Sequence, residues 1–476
     1  MRNLSLLADM YELTMLGGYI ASGKQNQQAN FDYFFRKVPD AGGYCVSAGL
    51  EQLIGYIQHF HFSARDLAYL EGLAIFPEKM FRYLENFHFS GDLYAVPEGT
   101  LVFPGEPIIR VTAPLPEAQF IESALLNIMN FQTLIATKAA RVCTAAEGDP
   151  VVEFGLRRAH GPDAALGAAR AAFIGGAQGT SNVLAGKLFG IPVRGTLAHS
   201  WVESFPSELE AFRTYCHLYP EGSLLLVDTY DTLKSGVPNA IKVGKEMRSQ
   251  GRGELRGIRL DSGDLAYLSQ EARKMLDKEG FQQTIIFASS DLDEWLIESI
   301  KKQGGRIDTW GVGTKLVTAY SNPALGGVYK LTGIEEAGRM VPKIKRSDNP
   351  EKVTNPGMKK IIRFFDLDGF MRGDVMFLEE EVPESKALRV YHPTIPHLSK
   401  MYPAPFVRSE LLVPIFRKGA LVYSKPSLPE IQKNTHRNLE RLGPEYKRFQ
   451  NPHIYHVSLS QKLLRTKQAL LKQTFQ

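Results

Sequence analysis

Between residues 151 and 312 the sequence repeats one pattern, and that pattern leaves few folds open. Short aliphatic or β-branched runs, each ending in polar or glycine residues, alternate with stretches of helical character. The runs are Val151-Val152-Glu153-Phe154, Ile191-Pro192-Val193, Leu224-Leu225-Leu226-Val227, Gly257-Ile258-Arg259-Leu260, Thr284-Ile285-Ile286-Phe287-Ala288 and Ile307-Asp308-Thr309-Trp310. Between them, 164–173 is alanine-rich, 269–279 sets Ala272, Met275 and Leu276 at helical spacing, and 292–303 follows a Ser-Ser-Asp start. Strands that alternate with helices in this way predict a parallel sheet, closed or open, because each parallel pairing needs a crossover long enough for a helix.

In a βα barrel the chemistry collects at the C-terminal ends of the strands. Here those ends supply Arg157-Arg158, His199, Asp228 with Asp231, Asp261-Ser262-Gly263-Asp264, Ser289-Ser290-Asp291 and Gly311-Val312-Gly313-Thr314. Cations, carboxylates, a histidine and glycine loops around one mouth suit an anionic, metal-bound substrate. The last two loops stand where such barrels commonly hold a phosphate on backbone N–H groups and a helix N-terminus.

The flanks do not continue the repeat. An N-terminal α/β domain over 1–150 mixes helix with Phe31-Asp32-Tyr33-Phe34-Phe35 and a proline-punctuated, β-rich region from Val96-Pro97 to Pro114-Leu115-Pro116. The barrel is expected over 151–345. A C-terminal domain with a basic tail follows over 346–476, and part of the N-terminal region is expected to pack with it. The expected fold is α/β: an irregular, TIM-like βα barrel between these two additions.

Charge narrows the partners. The chain of 476 residues carries a formal +5. Residues 431–476 hold nine Lys and Arg against Glu440 and Glu445, a local +7, which leaves −2 for the remainder. A basic amphipathic ending reads as a solvated helix face and not as a nucleic-acid footprint. Cys45, Cys143 and Cys216 form no CxxC pair, which argues against structural zinc or disulfides and implies a reducing compartment. No run reaches the roughly 18 apolar residues that span a bilayer. A cytoplasmic enzyme is expected, with no nucleic-acid or membrane partner.

Ile258-Arg259-Leu260-Asp261-Ser262-Gly263-Asp264 is the strongest single signal. Its carboxylates suit ribose hydroxyls or the divalent cation of a pyrophosphate, and its arginine suits a bidentate anion; alternatively, an Asp-Ser-Gly turn simply caps the next helix. His199, just past a strand, is either structural or a nucleophile. The second reading needs a carboxylate to fix its tautomer, and Asp228 at the end of the next strand is the expected partner.

Together with Asp9-Met10-Tyr11-Glu12-Leu13-Thr14-Met15, Phe31-Asp32-Tyr33-Phe34-Phe35-Arg36-Lys37, Glu153-Phe154-Gly155-Leu156-Arg157-Arg158, Gly179-Thr180-Ser181-Asn182 and Val227-Asp228-Thr229-Tyr230-Asp231, these segments resemble the nicotinate phosphoribosyltransferase family over most of the chain. The closing segment from Pro452-His453 to Leu459-Ser460 shares the resemblance. The resemblance implies transfer of phosphoribosyl from phosphoribosyl pyrophosphate to nicotinate, with Mg2+, coupled to ATP through phosphorylated His199, as a first step of NAD salvage. It implies a homodimer with shared sites, in which Tyr11 and Arg36 reach in from the partner. Phe154 and Tyr11 would sandwich the pyridine ring and Arg157 would help hold nicotinate. Arg259, Asp261 and Asp264 would serve the ring, ribose and metal end, with Asp261 and Asp264 as candidate contacts to magnesium. Ser289, Ser290, Asp291, Gly311, Gly313 and Thr314 would surround the 5-phosphate. Ser181 discriminates: the matching position in nicotinamide enzymes looks acidic, so a serine favours nicotinate. The alternatives are a nicotinamide- or quinolinate-specific relative, or a non-catalytic barrel scaffold, against which every loop residue named is present.

Overall fold

The computed structural model describes residues 3–382, 387–395 and 397–473. The chain divides into two compact units, one of Ile135–Pro323 and one of Met1–Leu134 with Ala324–Gln476.

The first unit is built on six parallel strands: β1 (Val151–Glu153), β2 (Gly179–Thr180), β3 (Leu224–Leu226), β4 (Gly257–Leu260), β5 (Ile285–Ala288) and β6 (Thr309–Val312). Their order in the sheet is β2-β1-β6-β5-β4-β3. The last strand therefore returns to the first, with Trp310 opposite Val151. Beyond β2 a single parallel bridge, Thr180 to Val193, extends the ring. Among the described residues no pairing joins Val193 to β3, so the strands follow one another around a barrel with one open seam. This is the irregular barrel the repeat predicts.

Two strands differ from expectation. Ile191-Pro192-Val193 contributes only that one bridge. Pro192 has no N–H to give a ladder, and the paired strand is Gly179–Thr180, too short to show as an aliphatic run. The last strand lies two residues later than expected, because Asp308 accepts the Ile286 N–H at the strand entry and Gly311 and Val312 carry the pairing with β1. Helices Pro162–Ile174, Leu265–Lys278 and Glu294–Lys302 fill three of the crossovers. Asp264 and Asp293 start the last two by accepting the Tyr267 and Leu296 N–H groups.

The second unit draws on both ends of the chain. Strand Gln28–Phe35 pairs antiparallel with Ile109–Pro114 on one side and with Gly327–Glu336 on the other. Asp92–Ala95 pairs with Val413–Arg417 in the same seven-stranded sheet. A six-stranded sheet of C-terminal segments packs Ile362, Phe364, Val375, Phe377, Val390 and Tyr402 into a core. Helix Gln461–Lys472 departs from the purely solvated face expected of the basic tail. Leu463, Leu464 and Lys467 share one face at helical spacing, and all three are buried. Among the described residues no helix is long and apolar enough to cross a membrane.

Candidate active site

The alternation of β4 buries Ile258 and Leu260 on one face and leaves Arg259 on the other. In register beside Arg259 stands Phe287 of β5, and Phe287 stacks on Phe154 with centroids 5.4 Å apart. The Arg259 guanidinium lies 5.6 Å over the Phe154 ring. Each of its nitrogens makes one hydrogen bond: Nε donates to Ser289 Oγ (2.8 Å), one terminal nitrogen to Thr196 Oγ1 (2.9 Å) and the other to Asp261 Oδ1 (2.8 Å), which leaves one N–H on each terminal nitrogen. A charge so tied is fixed in place before any ligand arrives.

Gly311 explains how the aromatic pair fits. A Cβ there would stand 2.6 Å from Phe287 and 2.9 Å from Phe154. Only glycine lets β6 run this close beneath the rings.

Asp261 is the hub. Its Oδ1 accepts from Arg259 and from the Ser289 hydroxyl, its N–H donates to Asp228 Oδ2 (3.0 Å), and its Oδ2 faces His199 Nε2 at 3.7 Å. Burial alone would raise its carboxyl, but the Ser289 hydroxyl, Arg259 and His199 outweigh that and hold it below the ordinary carboxylate range. The group stays ionised at neutral pH.

His199 is therefore not paired with Asp228 as expected. Its Nδ1 meets Thr229 Oγ1 at 3.1 Å and its other nitrogen faces Asp261. Asp228 is turned away because its Oδ2 is engaged by the Asp261 N–H and the Ser262 hydroxyl (2.5 Å), while its Oδ1 is buried with no hydrogen-bond partner. Asp264 follows the capping alternative, with Oδ1 on the Tyr267 N–H at 3.0 Å.

The remaining expected residues of the barrel unit lie on the segments that follow its strands. Ser181 is half-buried at the end of β2, its N–H on the Glu153 carbonyl. Arg157, Ser290 and Asp291 are exposed, and Ser290 has a φ of 127°, a conformation that costs a side-chain-bearing residue about 1–3 kcal/mol. Gly313 and Thr314 open the short helix Thr314–Val317. Tyr11 and Arg36 belong to the other unit. Tyr11, on helix Met10–Ala21, is 42% exposed, yet burial of its hydroxyl, then Glu122 and Glu12, raises its pKa.

Four contributors escaped sequence reasoning: Thr196 and Thr229, which hold Arg259 and His199, Phe287, and Lys315, which pairs with Asp293 at 2.7 Å. Thr229 and Lys315 directly follow residues that were singled out, so a wider reading of each strand end would have reached them. Among the described residues no group of three or more His, Cys, Asp or Glu is arranged to hold a metal ion. The donor set does fit an ion brought in by a ligand: the unpartnered oxygen of Asp228 and Asp261 Oδ2 are carboxylate oxygens not spent on hydrogen bonds.

This constellation has relatives. Residues 6–130 match the nicotinate phosphoribosyltransferase N-terminal domain, 150–367 the nicotinate phosphoribosyltransferase family and 358–467 its C-terminal domain. Over 461 residues the chain is 51% identical to nicotinate phosphoribosyltransferase of Bacillus subtilis, covering 96% of this chain and 93% of that protein. The chain belongs to the nicotinate phosphoribosyltransferase family. Within that family it is also 33% identical to the Homo sapiens nicotinate phosphoribosyltransferase, over 96% of this chain and 95% of the relative. The crystal structure of human nicotinic acid phosphoribosyltransferase superposes with a TM-score of 0.85 at 30% identity, covering 97% and 99% of the two chains. The nicotinate-nucleotide pyrophosphorylase of Pyrococcus furiosus shares the fold at 22% identity, with a TM-score of 0.70 over 92% and 96%.

Proposed function

We propose that this chain joins the ring nitrogen of nicotinate to C1 of phosphoribosyl pyrophosphate, releasing pyrophosphate, and that it serves NAD salvage in the cytoplasm. The observation that carries this reading is the Asp261 hub beside the Phe154 ring. Phe154 offers a flat face to a pyridine, Arg259 offers a fixed positive charge for its carboxylate, and Ser181 at the rim brings no competing negative charge. Arg157 adds a second cation. Ser289, Ser290, Asp291, Gly313 and Thr314 lie on the two loops suited to the 5-phosphate, and Gly311 sits in β6 just before the second of them.

In the proposed reaction the C1–O bond to pyrophosphate lengthens, positive charge develops at C1, and the pyridine nitrogen attacks from the opposite face. Fixed charges and positioning supply most of the acceleration. Magnesium carried on the pyrophosphate would be met by Asp228 and Asp261, with Asp264 nearby on the same loop, and would neutralise the departing charge. ATP enters through His199. The Asp261 carboxylate favours a proton on Nε2, leaving Nδ1, on the Thr229 side, as the nucleophile for the γ-phosphoryl group. Tyr11 would complete the ring sandwich, and Arg36 would meet the pyrophosphate, from a second copy of the chain in a homodimer.

The test is an assay of purified protein with phosphoribosyl pyrophosphate and either nicotinate or nicotinamide, with and without ATP. Nicotinate mononucleotide should form, faster with ATP. His199→Ala should keep the slow ATP-independent reaction and lose nicotinate-dependent ATP hydrolysis. Preference for nicotinamide, or no product from either base, overturns the reading.

A further inference from the structure

Glu153 closes β1 between β2 and β6, opposite Thr180 on one side and Val312 on the other. It is 1% exposed, and among the described residues no cation pairs with it. Burial raises its carboxyl above the ordinary range, against the opposing pull of the Thr180 and Gly155 donors. A buried carboxylate met only by neutral donors is expensive, and a protein keeps one where its two oxygens do what no neutral side chain can.

One of those oxygens takes the Gly155 N–H, and the other takes the Thr180 hydroxyl at 2.6 Å. The main-chain carbonyl of Glu153 takes the Ser181 N–H at 2.9 Å. Thr180 Oγ1 also accepts the Asn182 N–H at 3.0 Å, and Asn182 in turn starts helix Val183–Phe189 by accepting the Ala185 N–H. Ser181 therefore sits between two residues tied, directly or through one hydroxyl, to the same carboxylate. On the other arm, Gly155 precedes the turn Leu156–Arg158 that carries Arg157, and its carbonyl accepts the Arg158 N–H at 2.8 Å. That arm cannot sink, because a Cβ at residue 155 would collide with Val317. A glutamine at 153 would offer one acceptor and one donor group, so only the carboxylate serves the Gly155 N–H and the Thr180 hydroxyl together.

We propose that Glu153 is a positioning residue for recognition of the base: its carboxylate clamps the turn after Phe154 to the end of β2, and so fixes Phe154 and Arg157 relative to Ser181. The inference rests on the nicotinate reading above and deepens it, since those three residues are the ones proposed there to meet the ring and its carboxylate. No hydrogen bond of the Glu153 carboxylate reaches the loops after β5 and β6, so use of phosphoribosyl pyrophosphate should change least.

Steady-state kinetics, with nicotinate and phosphoribosyl pyrophosphate varied in turn, compare the wild-type chain with Glu153→Gln, Thr180→Val and the double variant, and denaturant unfolding is run on each. Glu153→Gln should raise KM for nicotinate about tenfold, with KM for phosphoribosyl pyrophosphate held within about twofold and kcat within about threefold. Thr180→Val keeps the shape of the side chain and removes the hydroxyl, and it should show the same split. The double variant should be no worse than Glu153→Gln alone, because both changes remove one arm of one clamp. Equal changes in the two KM values, or a loss of stability with neither KM moved, overturns the clamp and leaves Glu153 a purely structural residue. Independent, fully additive effects overturn the link through Thr180. If Glu153→Gln does not fold, Thr180→Val decides by the same split. Absence of nicotinate mononucleotide from the wild-type chain is a separate failure, which overturns the nicotinate reading and the base-recognition role with it.

Discussion

Asp261 does four things with one residue: it anchors Arg259, takes the Ser289 hydroxyl, faces His199 and ties its own backbone to Asp228. Asp228 does less for the imidazole, so the two should separate by mutation. Asp261→Asn should lower nicotinate-dependent phosphoryl labelling of the protein by about a hundredfold or more, since it loses both the charge near Nε2 and the partner of Arg259. Asp228→Asn should fall less, because an amide oxygen can still accept from the Asp261 N–H and Ser262. Label trapped from the γ-phosphate of ATP measures both, and the reverse ranking would return the orienting role to Asp228. That both carboxylates stand at the mouth was legible, since each ends an aliphatic run. Which one meets His199 was not, because it depends on the Ser262 and Asp261 donors that draw Asp228 across the strands. Lys467 has its own signature in pH. It loses its proton at about 8 when folded, against 10.5 ordinarily. Between those values the unfolded chain holds the extra proton, so unfolding free energy rises with pH across that window, by up to about 3 kcal/mol. In anion-free buffer, denaturant titrations at pH 7 and pH 10 should show this rise. Lys467→Met should be the more stable protein at pH 7 and should flatten the profile.

Three strands of the barrel are one residue shorter than their sequence runs, and the packing at β6 rests on the absence of one side chain. Strand β6 passes the Phe154–Phe287 stack only because residue 311 lacks a side chain. Gly311→Ala should cost about 1–3 kcal/mol in overpacking and push the Phe154 ring aside. The sharper readout is kinetic: KM for nicotinate should rise several-fold more than KM for phosphoribosyl pyrophosphate, because the ring face moves while the loops after β5 and β6 keep their backbone. Equal effects on both would deny Phe154 its part in holding the ring. Periodicity recovered four of the six strands to within a residue. It missed β2, since two residues make no periodic run, and it misplaced β6, where the polar Asp308 and the glycine at 311 disguise the start and end. Thr196, Thr229 and Phe287 stayed invisible for a related reason, being ordinary strand or loop residues whose importance lies in the neighbour they meet.

At the scale of the whole molecule the barrel unit is one continuous stretch of sequence, Ile135–Pro323, and the other unit is made from the segments before and after it. The excess positive charge of the chain falls in the closing segment of that second unit, where helix Gln461–Lys472 turns Lys467 inward. The discontinuity has a consequence in time. On the ribosome, strand Gln28–Phe35 finds Ile109–Pro114 early, but its other edge waits for Gly327–Glu336 to be made. At roughly 5–20 residues per second that interval lasts about 10 to 45 seconds. Through it the nascent chain carries an open edge holding Phe31, Tyr33 and Phe35, the kind of surface on which neighbouring chains template one another. Protease pulses on stalled nascent chains should find the 135–323 stretch protected once residue 323 has cleared the exit tunnel, while 28–35 remains cleavable until the 327–336 strand emerges. Simultaneous protection of both would mean that the two units are born together.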